Sequence, residues 1–174
     1  MFAAPLHVLV VDDDRALHDD YERCLGPRPR ETAALSSARE ELFGGVTAPV
    51  DESLINFQID HAYTGVAGLN LVETGIANDK RYCVAFVDMR MPPGWNGVDT
   101  IVALWRADPR VQIVLCTAYS DFTWDKVLAA VGRSEGLHLL RKPFAAEQVR
   151  RFAEVLAKKW LLSSSRDRAA AMAR

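Results

Sequence analysis

The chain has 174 residues, 49% of them hydrophobic and 25% charged, which suffices for one domain with a complete core and a short appendage but not for two whole domains. A formal net charge of −2, without a basic cluster carrying interleaved aromatic residues, gives no sign of direct nucleic-acid binding. The three cysteines are widely spaced without a Cys-x-x-Cys pair, and no apolar run is long enough to span a bilayer, so we predict a cytoplasmic protein with reduced thiols.

The first predicted strand is the apolar run Leu6–Val11, which stops at the acidic triplet 12–14. Helical spacing begins directly after Asp14, whose side chain is a suitable N-cap. The apolar positions of this helix recur at Leu17, Tyr21, Cys24 and Leu25. Gly26 and Pro27 end it.

Residues 27–56 interrupt the pattern, because a helix and the next strand of a βα repeat are usually joined by only about 2–6 residues. Within this insertion, Ser37 to Glu40 match a capping box and Gly44 with Gly45 a helix stop, which predicts a short extra helix. Two interpretations stay open: a docking or dimerisation element, and a solvated loop.

Strand-like and helix-like stretches alternate regularly after the insertion. The predicted strands are Ile55–Ala62, a central run Cys83–Val87 that stops at Asp88, Val111–Cys116, and Leu137–Leu140. A helix capped by Thr64 is expected to turn inward Val66, Leu69, Val72 and Ile76. Further helices are predicted from Val98, from Thr123 and around Val149. Five strands alternating with five helices indicate an α/β doubly wound parallel sheet with helices on both faces.

The carboxyl ends of parallel strands share one edge of the sheet, so residues that the sequence scatters are expected to meet there. These residues are Asp12, Asp13, Asp88, Thr117 and Lys142. Three neighbouring carboxylates repel one another by about 4 kcal/mol per pair at an effective dielectric constant of 20, so the cluster needs a cation. Oxygen ligands without thiolate or imidazole favour Mg²⁺. Asp88 alone is explained equally well as a helix cap, but beside Mg²⁺, a hydroxyl and an ammonium group it is equipped to form an acyl phosphate.

The histidines show no comparable pattern. His7, His18 and His61 lack partners at metal-ligand spacing, and we interpret each as a surface residue of a strand or helix.

Four motifs stand in a fixed order at the strand ends: Val10-Val11-Asp12-Asp13, Val87-Asp88-Met89-Arg90-Met91-Pro92 with Gly97, Cys116-Thr117-Ala118, and Lys142-Pro143-Phe144. This ordered set resembles the receiver (phosphoacceptor) domain of two-component response regulators, over the whole chain except the insertion and the tail. The resemblance implies a flavodoxin-like (CheY-like) five-stranded sheet of order 2-1-3-4-5. It also implies transfer of a phosphoryl group from the phosphohistidine of a histidine kinase to Asp88.

The resemblance further implies a role for each site residue. The metal ligands for Mg²⁺ would be Asp13, Asp88, the main-chain carbonyl of Arg90 and, through water, Asp12. Thr117 and Lys142 would hold phosphoryl oxygens, and the Lys142-Pro143 peptide bond would be cis.

Some positions depart from the pattern of the family. Leu139 stands where the family usually has an aromatic switch residue, which puts the coupled movement of that residue and Thr117 in question. The loop after the central strand is one residue longer than usual and brings Trp95 near the site, either over the phosphoryl pocket or packed on a neighbouring helix. In the family, the positions of Arg90 and Tyr119 influence how fast water reaches the acyl phosphate. Two large side chains there predict a long-lived phosphoryl group.

The partners implied are a sensor histidine kinase or phosphotransfer protein, an output domain in a longer protein, and a second copy in a homodimer, without direct contact with nucleic acid or membrane. The expected chemistry is self-phosphorylation and autodephosphorylation of Asp88, without turnover of a separate substrate. We place the receiver domain at residues 1–162 and a tail or linker at 163–174.

Two other functions stay open. An Asp-nucleophile phosphohydrolase of the haloacid dehalogenase type also places Asp, Thr and Lys at parallel strand ends, but it needs a second Asp where Arg90 stands. A degenerate receiver used only for protein contacts is favoured by Leu139 and opposed by the intact set of site residues.

Overall fold

The computed structural model describes residues 5–27, 55–118, 124–132 and 135–172, with side chains up to residue 165. The strands in this part of the chain are β1 (Leu6–Val11), β2 (Phe57–Ala62), β3 (Tyr82–Asp88), β4 (Gln112–Thr117) and β5 (Leu137–Arg141). The helices are α1 (Arg15–Leu25), α2 (Gly65–Ala77), α3 (Gly97–Ala107), α4 (Trp124–Val131) and α5 (Ala146–Met172). The extra helix predicted within 37–45 lies outside the described residues.

The five strands form one parallel sheet in the order β2-β1-β3-β4-β5. The predicted doubly wound α/β fold and its strand order are therefore confirmed. Every residue of β3 is buried, because helices cover both faces of the sheet. The register pairs Val11 with Val87 and Asp88 with Cys116, which brings the carboxyl ends of β1, β3 and β4 level with one another.

Of the helices in the described ranges, two pack on one face of the sheet and three on the other. On the first face, α1 and α5 bury Tyr21, Leu25, Val149 and Leu156 against strand residues such as Phe86. On the second face, α2, α3 and α4 contribute Val72, Ile101, Leu104 and Val127. The apolar residues of the strands thus divide between two cores, which hold the sheet rigid at the edge where the acidic residues lie.

Helix α2 turns three of its four predicted residues inward, because Val72 is buried and Leu69 and Ile76 pack, partly buried, against the same core. Its buried positions are Gly65, Gly68, Val72 and Gly75, whereas Val66 is 47% exposed, so the prediction that Val66 faces inward is wrong. A Cβ atom added to Gly68 would lie 2.9 Å from Cγ2 of Val11. The glycines let the helix backbone approach β1 closely, and no apolar side chain is needed there.

Side chains cap the first turns of α1 and α3, the helices that follow the acidic ends of β1 and β3. Asp14 accepts a hydrogen bond from the Ala16 amide, which confirms it as the N-cap of α1. Asn96 and Asp99 form a capping box at the start of α3. The Lys142-Pro143 peptide bond is cis, as the resemblance implied.

The last helix, α5, runs past residue 162, where we place the end of the domain. That boundary and the tail at 163–174 stay predictions. In the described part of the chain, no helix combines the length and apolar character needed to cross a membrane.

Candidate functional site

Three carboxylates meet at the carboxyl edge of the sheet. Asp12 and Asp13 follow β1 and Asp88 ends β3, and one oxygen of each lies within 4.8 Å of the others. Asp12 and Asp88 are buried, with 2% and 7% exposure, whereas Asp13 is exposed. The cluster therefore has two acidic groups inside the protein and a third that opens it to solvent.

Lys142 joins the two buried carboxylates. It directly follows β5, and its amide donates a hydrogen bond to the Thr117 carbonyl at 2.8 Å, which places it beside the end of β4. Its Nζ atom lies 2.6 Å from Oδ1 of Asp88 and 2.8 Å from Oδ2 of Asp12. One ammonium group against three carboxylates leaves the site with an excess of negative charge, which favours a cation.

Each oxygen of Asp88 has a partner. Oδ2 accepts a hydrogen bond from the Arg90 amide at 2.7 Å, and Oδ1 pairs with Lys142. Burial raises the pKa of Asp88, the charge of Asp12 raises it further, and the contacts with Lys142 and the Arg90 amide offset this only in part. Asp88 is therefore a carboxylate with little solvation, held in one orientation.

The charge of Lys142 is stabilised by the same contacts. Burial lowers the pKa of Lys142, but the hydrogen bonds and negative charges of Asp12 and Asp88 outweigh it, so that the pKa is raised. The lysine thus supplies a fixed positive charge next to the Asp88 oxygens.

Thr117 ends β4 at the same edge, in register with Arg141. Its hydroxyl donates a hydrogen bond to the Ala118 carbonyl at 3.0 Å. Since the side chain is only partly buried, rotation about χ1 can turn this donor elsewhere. The structure brings the amide of Arg90 to Asp88, and metal binding by the Arg90 carbonyl stays a prediction.

A pocket of about 80 Å³ lies beside Thr117, on the α4 side of the sheet. Leu139 lines it together with Trp124, Val127 and Arg141. Leu139, an aliphatic residue without an aromatic ring, thus forms part of the wall of an open space. Tyr119 lies outside the described residues, so its predicted effect on dephosphorylation stays a prediction.

Trp95 lies against the start of α2. A Cβ atom added to Gly65 would come within 3.2 Å of the Cβ of Trp95 and 2.1 Å of the Thr100 hydroxyl. This placement supports the interpretation that Trp95 packs on a neighbouring helix, and Gly65 is the residue that leaves room for it.

The role of His18 was not predicted from the sequence. The interpretation of His18 as a surface residue is wrong, because it is 3% exposed and its Nε2 donates a hydrogen bond to the Asp12 carbonyl at 2.8 Å. The signal was present in the spacing, since His18, Tyr21 and Leu25 recur at three and four residues and together form the buried side of α1.

The donor set suits Mg²⁺. In the described ranges, Asp12, Asp13 and Asp88 are the His, Cys, Asp or Glu side chains that come close enough in a group of three to share an ion. All the donor atoms are carboxylate oxygens, and exposure of Asp13 leaves space for the water ligands that Mg²⁺ usually keeps. The cluster therefore fits a hydrated hard cation better than zinc or copper.

Several solved structures of other proteins resemble this chain in fold. No protein-family profile and no curated protein matches the chain. A response regulator receiver protein of Sinorhizobium medicae WSM419 has 17% identity and a TM-score of 0.60, covering 90% of this chain and 97% of its own. A CheY-like receiver domain protein of Methanospirillum hungatei JF-1 has 16% identity and a TM-score of 0.63, covering 92% and 99%. An adenylate cyclase structure from Rhodopirellula baltica has 18% identity and a TM-score of 0.67, covering 96% and 98%. The fold is thus that of CheY-like receiver domains over most of the chain.

Proposed function

We propose that this chain is a phosphoacceptor receiver domain of a two-component signal transduction system, and that Asp88 accepts a phosphoryl group from a sensor histidine kinase or phosphotransfer protein. The observation that carries the proposal is the position of Lys142, which bridges Asp88 and Asp12 while Asp13 keeps the acidic cluster open to solvent. A lysine and three carboxylates from three strand ends supply a nucleophile, a fixed positive charge and a cation site in one place.

The transfer step uses an oxygen of Asp88 as the nucleophile. The oxygen forms a bond to phosphorus, and the bond between phosphorus and the imidazole nitrogen of the donor breaks. The electron pair of that bond stays on the imidazole, which takes up a proton from solvent, and the product is an acyl phosphate on Asp88. The weak solvation of Asp88 favours attack, because little water has to leave the carboxylate first.

Asp13 and Asp88 would hold Mg²⁺, with Asp12 acting through water and the Arg90 carbonyl as a further ligand. Bound there, Mg²⁺ would neutralise the charge that develops on the phosphoryl oxygens. Lys142 is already within ion-pair distance of Asp88, so it can pass from the carboxylate to a phosphoryl oxygen with a small movement. Thr117 can turn its hydroxyl from the Ala118 carbonyl towards the same group.

The consequence of phosphorylation would be a change in protein contacts. Movement of Thr117 and Lys142 alters the ends of β4 and β5, and the pocket wall formed by Leu139 and Trp124 lies directly beside them. An output domain in a longer protein, or a second copy of the chain, would respond to this change. We place the protein in the cytoplasm, and we expect slow autodephosphorylation of Asp88 to reset it.

Other nucleophiles and other reactions fit the site less well. Cys116 is adjacent to Thr117, but burial raises the pKa of its thiol to about 12, which leaves it inert. A phosphohydrolase of the haloacid dehalogenase type would need an acid at the position of Arg90. A degenerate receiver would not require the carboxylates and Lys142 to remain assembled, as they are here.

Intact-mass spectrometry after incubation with acetyl phosphate and Mg²⁺ tests the proposal. The wild type should gain one phosphoryl group, and Asp88→Asn should gain none. Omission of Mg²⁺, with EDTA present, is the matched control and should prevent the gain. Hydrolysis of p-nitrophenyl phosphate without a stable mass gain would favour the phosphohydrolase, and absence of both reactions would favour the degenerate receiver.

A further inference from the structure

Two histidine rings, His18 and His61, connect the exposed surface of α1 to the acidic cluster through hydrogen bonds. Nε2 of His18 lies 2.8 Å from the main-chain oxygen of Asp12, and Nδ1 of His18 lies 2.6 Å from Nδ1 of His61. Nε2 of His61 lies 2.8 Å from Oε1 of Glu22. Every ring nitrogen of the two histidines therefore has a partner, in a series that starts at an exposed carboxylate and ends at the backbone of the site.

The acceptors fix which nitrogens carry protons. The carbonyl of Asp12 and the carboxylate of Glu22 only accept hydrogen bonds, so Nε2 of both His18 and His61 must donate. The contact between the two Nδ1 atoms needs one more proton. With all three hydrogen bonds formed, one of the two Nδ1 atoms donates to the other, so both rings are held at each of their nitrogens.

Packing holds the His18 ring in place. The ring of Tyr63 lies 4.5 Å from that of His18, between centroids, and the ring of His61 lies 4.8 Å away. The guanidinium of Arg15 covers Tyr63 at 4.8 Å. Because His18 is almost completely buried between these groups, its ring cannot turn without losing both of its hydrogen bonds.

The other polar groups of Asp12 are also engaged. Its amide donates to the Ala62 carbonyl at 3.1 Å, Oδ1 accepts from the Asp14 amide at 3.0 Å, and Oδ2 pairs with Lys142. The bond from His18 is the contact that fixes the Asp12 carbonyl. Since a peptide unit is planar, fixing this oxygen also fixes the Cα of Asp13, the exposed carboxylate of the cluster.

We propose that His18 is a positioning residue for the cation site, and that it sets the place of the Asp13 carboxylate through the peptide between Asp12 and Asp13, with His61 and Glu22 holding its ring. The inference rests on the proposed function, because Asp13 matters only if the cluster binds Mg²⁺. His18 itself does not touch the ion or the phosphoryl group. Its loss should weaken metal binding while the side chains of the cluster remain intact.

Isothermal titration calorimetry with Mg²⁺, in the absence of any phosphoryl donor, measures this effect on the full chain. His18→Leu removes the donor, and the Kd for Mg²⁺ should rise roughly tenfold, as for other residues that orient metal ligands. His18→Gln keeps an N–H donor and should recover part of the affinity. His61→Leu removes the support of the ring and should also raise the Kd, which provides a second test if His18→Leu fails to fold.

Tyr82→Phe is the matched control, because it removes the hydrogen bond to Asp60 at 2.7 Å without touching the acidic cluster. It should lower the thermal midpoint and leave the Kd for Mg²⁺ unchanged. If the histidine variants lower the thermal midpoint as the control does, and shift the Kd by less than about twofold, the inference is overturned and the proposed function stands. If the wild type binds no Mg²⁺, the proposed function fails, and the inference fails with it.

Discussion

Asp88 lies where the protein opposes its ionisation and yet keeps it oriented. Burial and the negative charge of Asp12 raise its pKa, and Lys142 with the Arg90 amide supplies the partners that keep the carboxylate in place. A group in such an environment reduces the stability of the fold when it is charged. The stability cost and the proposed reactivity of Asp88 thus have one cause, the removal of water from its oxygens.

Asp88→Asn should therefore stabilise the protein in a pH-dependent way when EDTA removes divalent cations. Below the ordinary pKa of 3.8, Asp88 is protonated in both the folded and the unfolded state, and the wild type loses nothing. As the pH rises from 3.8 through the raised pKa of folded Asp88, the free energy of unfolding of the wild type should fall relative to that of the variant. Above the raised pKa, the difference between the two proteins should stay constant. Urea unfolding across this pH range measures the difference. Asp79→Asn, which removes an exposed carboxylate outside the acidic cluster, is the control. If Asp88→Asn lost stability relative to the wild type as the pH rises, the effect of burial on Asp88 would be refuted.

Lys142→Met should destabilise the protein, because two buried carboxylates then face each other without a counter-charge. We expect a loss of roughly 3 kcal/mol in EDTA, typical of a buried ion pair that loses one partner. Mg²⁺ should restore more stability to this variant than it adds to the wild type. Lys126→Met, on the exposed side of α4, is the control and should change little. Equal stability of the two variants in EDTA, from urea unfolding, would refute the structural role of Lys142.

At the scale of the elements, α3 approaches the end of β3 so closely that only glycine fits at its first position. A Cβ atom added to Gly97 would lie 2.6 Å from the Asp88 carbonyl and 2.9 Å from the Cα of Met89. The Gly97 amide also donates to the Met89 carbonyl at 2.9 Å. The start of the helix thus holds the backbone that carries the proposed phosphoacceptor.

Gly97→Ala should accordingly damage both stability and the site. Displacement of the helix should cost about 1–3 kcal/mol of unfolding free energy, as in other overpacked positions. The Kd for Mg²⁺ should rise because Asp88 moves with its backbone. Gly132→Ala introduces backbone strain at a φ of 75° without any atom within 4 Å, so it should lower stability and leave the Kd unchanged. Calorimetry that finds the same Kd in both variants would show that α3 does not position Asp88.

The sequence predicted secondary-structure elements well where one hydrophobic period dominates. It did less well where close backbone packing decides which residues of a helix are buried. The run Leu6–Val11 is a strand with the predicted bounds, because a short apolar run closed by aspartates has few other solutions. In α2 the apolar pattern indicated Val72 correctly and Val66 wrongly, since Gly65 and Gly68 pack by close backbone approach and leave no apolar signal. The contact of His18 with the site was not predicted because it is made to a backbone carbonyl, which a search for side-chain motifs does not reveal.

At the scale of the whole molecule, the site exists only because the parallel sheet brings distant strand ends together. Asp12 and Lys142 are 130 residues apart in sequence and form an ion pair. The order of the strands places β3 between β1 and β4, so Asp88 occupies the middle of the cluster. The sequence predicted this convergence because all strand ends of such a sheet share one edge. The distances between these side chains, and the exposure of Asp13, depend on side-chain packing, which the sequence pattern does not determine.

Borohydride trapping identifies the residue that accepts the phosphoryl group. The wild type is incubated with acetyl phosphate and Mg²⁺, reduced with borohydride, which converts an acyl phosphate to an alcohol, and digested for peptide mass spectrometry. We expect reduction at Asp88 alone, and none in Asp88→Asn or without acetyl phosphate. Reduction at Asp12 or Asp13, or an unmodified Asp88 in the wild type, would contradict the proposed role of Asp88.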